Sequence, residues 1–480
     1  MALNDVEHIV FLMLENRSFD HMLGYLSLDE TEHPLPVDGL RSDQAWKDST
    51  ANCTRDGTPH PMHPISASEK ISDPPHGHER VPDQINTPAD VPGPRRMGGF
   101  VQSYIDSRAG EEPPRRAAAV MGYYDKDDVW AYDSLARNYC VCDRWFTPLP
   151  TGTQPNRLMA MGGDTRIFRN SGVKIPEHDL VYNWLSCNRV DWRVYTWGGY
   201  PPFFMLMWEW WDNVVASERR RFRRFDRLEQ DWLSGEEFPS LLFIEPKYSE
   251  IPIGKANDDH APTRITGGQR LVADLYGILT GNEERWAKTL LIVTYDEHGG
   301  FFDHVPPLPI MKQVGPQHFP ETGPRVPALL ISPHVDPGRV FREPVDHTAF
   351  LALLAERFTP GLPYSDAVAE RQSSYAGFGR LSAALRPTAR AGTPARIERP
   401  LSVSAMSAIE SVTGMERGLA SMDDAPDADT PTAVAFDRAA RRTAERHPEL
   451  LADPDWSGLA QYVAAAPAPA IRHDDHIGDD

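Results

Sequence analysis

Two apolar runs in this chain end in the same way, and that shared ending constrains the fold more than any other feature. His8–Leu14 passes without a turn signal into Glu15 and Asn16, and Thr289–Tyr295 passes directly into Asp296 and Glu297. Runs that are apolar at nearly every position, rather than at alternate ones, suit strands buried on both faces of a parallel sheet. Runs at 192–197, 240–244 and 325–332 have the same character, and amphipathic stretches such as 269–279 and Thr348–Phe358 alternate with them. Strands alternating with helices predict an α/β fold with a mostly parallel central sheet.

In open sheets of that kind, ligands bind beyond the carboxyl ends of the strands, where loops converge on one crevice. Acidic groups leaving two such ends would hold a divalent cation between them. The alternative is that they cap the helices that follow. Their donors are oxygens, which suit Ca²⁺, Mg²⁺ or Mn²⁺ better than soft ligands would. A third element is the string LPTGTQPNRLMAMGG, where Pro155 close to a helix start places Thr153 at or just before the helix N-terminus. A hydroxyl there, near a helix dipole and a metal, would ionise more easily and attack phosphorus. The alternative is a plain Thr cap.

Four strings, ENRSFDHMLGYL, TQPNRLMAMGG, NDDHAP and YDEHGGFFDHVPP, occur in that order and resemble the phosphoesterase family, which contains bacterial phospholipases C and acid phosphatase A. The resemblance covers about three quarters of the chain and extends, more distantly, to the alkaline phosphatase superfamily. It implies a three-layer alkaline phosphatase-like sandwich with long loop insertions and a metal-dependent phosphoric ester hydrolase working through a phosphothreonine. By resemblance Glu15, Asn16, Thr153, Asp296 and Glu297 hold one divalent ion (Ca, Mg, Mn or, as in related sites, Zn), and Thr153 is also the nucleophile. His260 and His76 would serve the transferred group, with His78 second to His76. Asp259, Asp303, His304 and His347 also fall on family strings, as substrate or outer-layer residues. The implied substrate is a phosphate-ester small molecule or a phospholipid headgroup, with phospholipase C-like diesterase action. Alternatives are acid phosphatase-like monoesterase action and a non-catalytic metal-binding protein of the same fold.

Composition excludes some classes. A formal charge of −20 argues against nucleic acid, whose affinity comes from phosphate neutralisation by Lys and Arg. The one basic stretch, 219–227, reads as a solvated helix face with Phe222 and Phe225 packing beneath it. Cys53, Cys140, Cys142 and Cys187 match neither a zinc knuckle nor a redox pair, and reduced thiols are expected. No leader and no apolar run of membrane-spanning length is visible, so the sequence as it stands reads as cytoplasmic, or as secreted or periplasmic if a leader preceded it. Residues 1–390 read as the catalytic domain, with 28–98 as an irregular insertion or lid carrying DPPHGHE. Residues 391–480 read as a helical extension, with helices near 402–415 and 433–446 and a frayed tail. Trp208, Trp210 and Trp211 are expected in the core or, alternatively, around a choline or lipid pocket, and His334 at the surface.

Overall fold

The computed structural model describes residues 2–28, 33–108, 117–200, 202–235, 237–249, 251, 255–397 and 431–465. Its centre is an eight-stranded sheet of β1 (His8–Leu14), β2 (Cys140–Cys142), β3 (Trp192–Thr196), β4 (Phe222–Arg224), β5 (Leu241–Glu245), β6 (Thr289–Tyr295), β7 (Ala328–Ile331) and β8 (Arg339–Phe341). The strand order is β8-β2-β7-β6-β1-β5-β3-β4. Neighbours are parallel except at β7, which lies antiparallel between β6 and β2. The chain is therefore α/β with a mostly parallel sheet, as the alternation of runs predicts.

β1 is central because all seven of its residues are apolar enough to be buried on both faces. Its register with β6 pairs Leu14 with Tyr295 at the last position of each strand. Glu15 and Asp296 therefore leave the sheet side by side, and that register makes the site. Of the other expected strands, the run at 240–244 shifts by one residue to become β5, and the run at 325–332 shortens to the four residues of β7.

Helices cover the sheet and fix its loops: α1 (Phe19–Leu23), α2 (Thr153–Gly162), α3 (Trp208–Ser217), α4 (Thr266–Thr280), α5 (Thr348–Phe358) and α6 (Pro431–Arg446). Phe350 of α5 stacks on Phe11 of β1 with ring centroids 4.0 Å apart, and α5 in turn packs on α2. α2 ends where Gly163 takes the left-handed conformation (φ 82°) and its N–H returns to the Met159 carbonyl.

Two expectations, the basic stretch as a helix and His334 at the surface, need correction, and the tryptophans take the core placement expected of them. The basic stretch is no helix: it is two 3₁₀ turns flanking β4, the edge strand. Phe222 and Phe225, three residues apart, are both buried, which imitates a helical spacing. The arginines pair with Asp191, Glu218, Asp231, Asp226 and Asp455 and blunt the sheet edge. Trp211 is fully buried against Trp456 and donates to Thr443 Oγ1 at 3.1 Å, so the tryptophans of α3 join the sheet edge to the C-terminal helix. His334 is buried, with its imidazole on the Ala287 carbonyl.

Among the described residues, 28 and 33–98 form only short helices and two-residue strands, and Leu40, Met62, Val81, Ile85 and Met97 join Phe100, Tyr104 and Phe302 in a small separate apolar cluster. α6 contains the helix expected at 433–446; the one near 402–415 and the final residues lie outside the described residues. Phe436 of α6 packs on Phe203 and Tyr248, in the same apolar core as the sheet. The four cysteines carry no disulfide. No described helix is long and apolar enough to cross a membrane.

Candidate active site at the carboxyl ends of the central strands

The backbone beyond β1 turns sharply. Asn16 has φ 64°, a left-handed value that an Asn tolerates better than most residues. The turn lets the Asn16 N–H donate to Asp296 Oδ1 at 3.1 Å, while the Glu297 N–H donates to the same oxygen at 2.7 Å. Gly299 (φ 65°) lies so close to Asn16 that a Cβ would sit 2.1 Å from its carbonyl oxygen. Gly300 (φ 71°) stands in the same relation to Pro74 and Pro75. The glycine pair thus lets the β1 loop and the insertion both approach the β6 loop.

Arg157 joins these strand ends to α2. Its Nη2 donates to Glu15 Oε1 at 3.0 Å and its Nε to Asp296 Oδ2 at 3.2 Å, all three side chains being buried. Phe203 and Tyr248 lie under the guanidinium, 4.7 and 5.1 Å from their ring centroids. Arg157 is four residues after Thr153, so both occupy one face of α2. Gly152 is the N-cap and Thr153 the first helical residue. Asn156 fixes the approach to that point, its amide bonding the Leu149 N–H and the carbonyls of Leu149, Thr151 and Gly152.

Thr153, His76 and His260 line one cleft of about 940 Å³, together with Asp73, His78, Glu79, Asn170, Thr432 and others. His260 Nδ1 is 3.2 Å from Glu15 Oε2, and its Nε2 is 3.4 Å from Asp73 Oδ1. His76 Nε2 lies 3.4 Å from Asn16 Nδ2 and 3.9 Å from Glu297 Oε1. Burial works against charge on His76, but Glu297 and Asp73 outweigh it and raise its pKa above the ordinary value. Burial raises Asp296 to about 6, with Arg157 pulling the other way.

The donors present fit a cation. Glu15 and Asp296 share the buried Arg157, while Asp73 and Glu297 face the imidazoles of His76 and His260. Asn16 Oδ1 and Glu297 Oε1, both fully buried, accept no hydrogen bond among the described residues. Two sets, Asp73–His76–His260 and Glu15–Asp258–His260, each bring their ligand atoms within 4.8 Å of one another. Both oxygens of Asp296, by contrast, are already hydrogen-bonded.

The model of the phosphoesterase family matches residues 6–361. This chain belongs to the phosphoesterase family. Among its relatives, non-specific phospholipase C3 of Arabidopsis thaliana is 31% identical over 71% of this chain and 65% of its own length. Phospholipase C B of Mycobacterium tuberculosis is 30% identical over 78% of this chain and 76% of its own. The chain thus spans just under two thirds of the length of the plant relatives it matches. Among solved structures, the phosphonate monoester hydrolase of Agrobacterium radiobacter aligns at 12% identity over 48% of this chain and 68% of that one, with a TM-score of 0.30.

Not every residue expected at the site faces the cleft. Asp259 (φ 73°) accepts from Tyr295 Oη at 2.7 Å and from the Gly268 N–H at 3.1 Å, and burial lifts it to about 7. It shapes the turn that presents His260. His347 accepts from Trp145 Nε1 at 2.9 Å, so its other nitrogen carries the proton given to the Asp296 carbonyl at 2.7 Å. Burial lowers its pKa to about 4, which makes it a neutral prop under Asp296. His78 is at the cleft rim, 2.9 Å from Glu79.

Asp303 and His304 belong to a separate buried network. Arg325 pairs with Asp303 at 2.9 Å and Asp20 at 3.0 Å, and His304 bridges Asp20 (2.7 Å) and Asp38 (3.3 Å). Burial disfavours the His304 charge, but Asp20 and Asp38 outweigh it and lift the pKa to about 9. The folded value exceeds the unfolded one, so this stabilisation is present in full below about pH 6.5 and is lost as pH rises through 9. We expect His304→Gln to be less stable than the parent by on the order of 2 kcal/mol near pH 6.5, the gap closing toward pH 9. Urea denaturation at stepped pH checks this; a gap independent of pH would remove the charge from His304.

Residue types alone missed Arg157, Asp73 and Asp258. The available signal for Arg157 was its place four residues after Thr153. Asp73 stands three residues before His76, in a stretch without periodicity.

Proposed function

We propose that this chain hydrolyses phosphoric esters through a phosphothreonine on Thr153, with a divalent ion held by Glu15, Asn16, Thr153, Asp296 and Glu297 and phospholipase C-like action on a diester. The observation that carries this reading is Arg157. It ties the helix that starts at Thr153 to the buried Glu15 and Asp296 carboxylates, and Thr153 itself lines the cleft with His76 and His260. The named relatives, phospholipases C, support phosphoester chemistry.

Thr153 Oγ attacks phosphorus and gives its proton to His260, while the bond to the leaving oxygen breaks. His76, whose pKa Glu297 and Asp73 raise, supplies the proton that oxygen needs. Water then attacks the phosphothreonine, losing a proton to His76, and His260 returns its own to Thr153 Oγ. When bound, a divalent ion lowers the cost of alkoxide and phosphoryl charge. Oxygen donors with imidazoles close by take Ca²⁺, Mg²⁺, Mn²⁺ or Zn²⁺.

One feature favours monoesters instead. Among the described residues Phe168 is the one benzene or indole ring lining the cleft, and none of Trp208, Trp210 and Trp211 reaches it, so those residues offer no ring cage to a quaternary ammonium. Turnover of p-nitrophenyl phosphate against p-nitrophenylphosphorylcholine, with elemental analysis of the purified protein, separates these readings. Glu15→Ala should weaken metal binding at least roughly 10²-fold and lower turnover with it, since even partners outside the ligand shell cost 10–100-fold. Full metal occupancy with normal turnover in that variant rules out a site held by Glu15, and failure on both esters rules out the hydrolase.

A further inference from the structure

Asn170, on the segment after α2, touches the start of that helix. The Gln154 N–H, in the first turn, donates to Asn170 Oδ1 at 2.9 Å. A backbone N–H can only donate, so the carboxamide orientation is set: Oδ1 faces the helix and Nδ2 faces away. The Gln154 side chain holds Ser171 as well, accepting from its N–H at 2.8 Å and donating to its carbonyl at 3.1 Å. Gln154 thus holds the carboxamide through its N–H and the residue after it through its side chain. Nδ2 packs on Gly152, where a Cβ would come within 3.1 Å of it. Gly152, Thr153 and Asn170 all line the cleft, and no acceptor meets Nδ2 among the described residues.

The geometry points to Asn170 as a further catalytic residue, its Nδ2 donating to a non-bridging phosphoryl oxygen of the ester bound at Thr153. The role rests on the phosphoester reading above. A donor already fixed beside the nucleophile meets developing charge without reorganising, which is where a hydrogen bond contributes most to rate. A Cβ at 152 would press on that amide, 3.1 Å from its nitrogen.

Asn170→Asp keeps the oxygen that accepts from Gln154 and suits a helix N-terminus, but replaces the donor with an acceptor. Asn170→Ala removes both. With p-nitrophenyl phosphate, kcat should fall roughly 10²-fold or more in each variant, and inorganic phosphate should bind more weakly by calorimetry. The thermal midpoint of Asn170→Asp should equal or exceed the parent's. A loss confined to the Asp variant is charge repulsion and overturns the donor role, as does wild-type kcat in both variants. Calorimetry on folded protein keeps the test open should either variant lose stability. If the parent turns over no phosphate ester yet both variants still bind inorganic phosphate more weakly, the Thr153 chemistry falls and the Asn170 contact stands. A parent that neither turns over ester nor binds phosphate overturns both.

Discussion

Thr153→Ala is expected to cut turnover by at least about 10³-fold while the chain stays folded. Structurally the hydroxyl has little to lose. Gly152 is the N-cap of α2, and the first-turn amide of Gln154 is served by Asn170, so Thr153 is not the cap that a Thr in this position commonly is. Chemically it has everything to lose. Its oxygen opens the helix whose Arg157 grips Glu15 and Asp296, and it faces the cleft shared with His76 and His260. Thr153→Ser keeps the oxygen and should keep measurable activity. Acid quench during turnover, then mass spectrometry, should find phosphate on the peptide containing Thr153. Absence of that peptide, with normal turnover by the alanine variant, would transfer the attack to a water molecule.

Arg157→Met should destabilise the protein by about 3–5 kcal/mol in the presence of a chelator, because it leaves two buried carboxylates without their cation. Burial favours loss of the guanidinium charge, yet Tyr248, Asp296, Glu15 and Glu245 outweigh it and hold the pKa above the ordinary value. Methionine fills similar volume against Phe203 and Tyr248, so the change reports charge more than packing. Adding a divalent ion should restore part of the loss, since an ion at the same carboxylates supplies the missing positive charge. Urea denaturation with and without metal measures both effects. A chelated variant within about 1 kcal/mol of the parent would show that Asp296 and Glu15 ionise little in the folded state.

The sheet's core was legible because β1 and β6 are mostly apolar runs whose burial needs no partner to be inferred. β7 reads like a parallel strand for the same reason, since a short apolar run carries no sign of direction. The arginines of 219–227 misled because two buried phenylalanines three apart satisfy a helical period on either side of a three-residue strand. At the site, acidic residues at strand ends were readable from position. Asp73 was not, because it reaches His76 and His260 through an irregular insertion that packs into a small cluster with Phe100, Tyr104 and Phe302. Asn170 was likewise silent in sequence: its role depends on a loop returning to the start of α2, a non-local contact without periodic trace.

The bond from the Asn16 amide to Asp296 spans 280 residues of sequence. A site closed over that distance cannot exist in a fragment or in a partly folded chain, because no local segment contains two of its walls. Its loop-closure entropy is met only when β1 lies against β6 in register. Affinity for any cation seated between those loops is therefore absent from the unfolded state. Such a ligand would add to the free energy of unfolding as RT ln(1 + [L]/Kd), without the discount that binding to unfolded chain imposes.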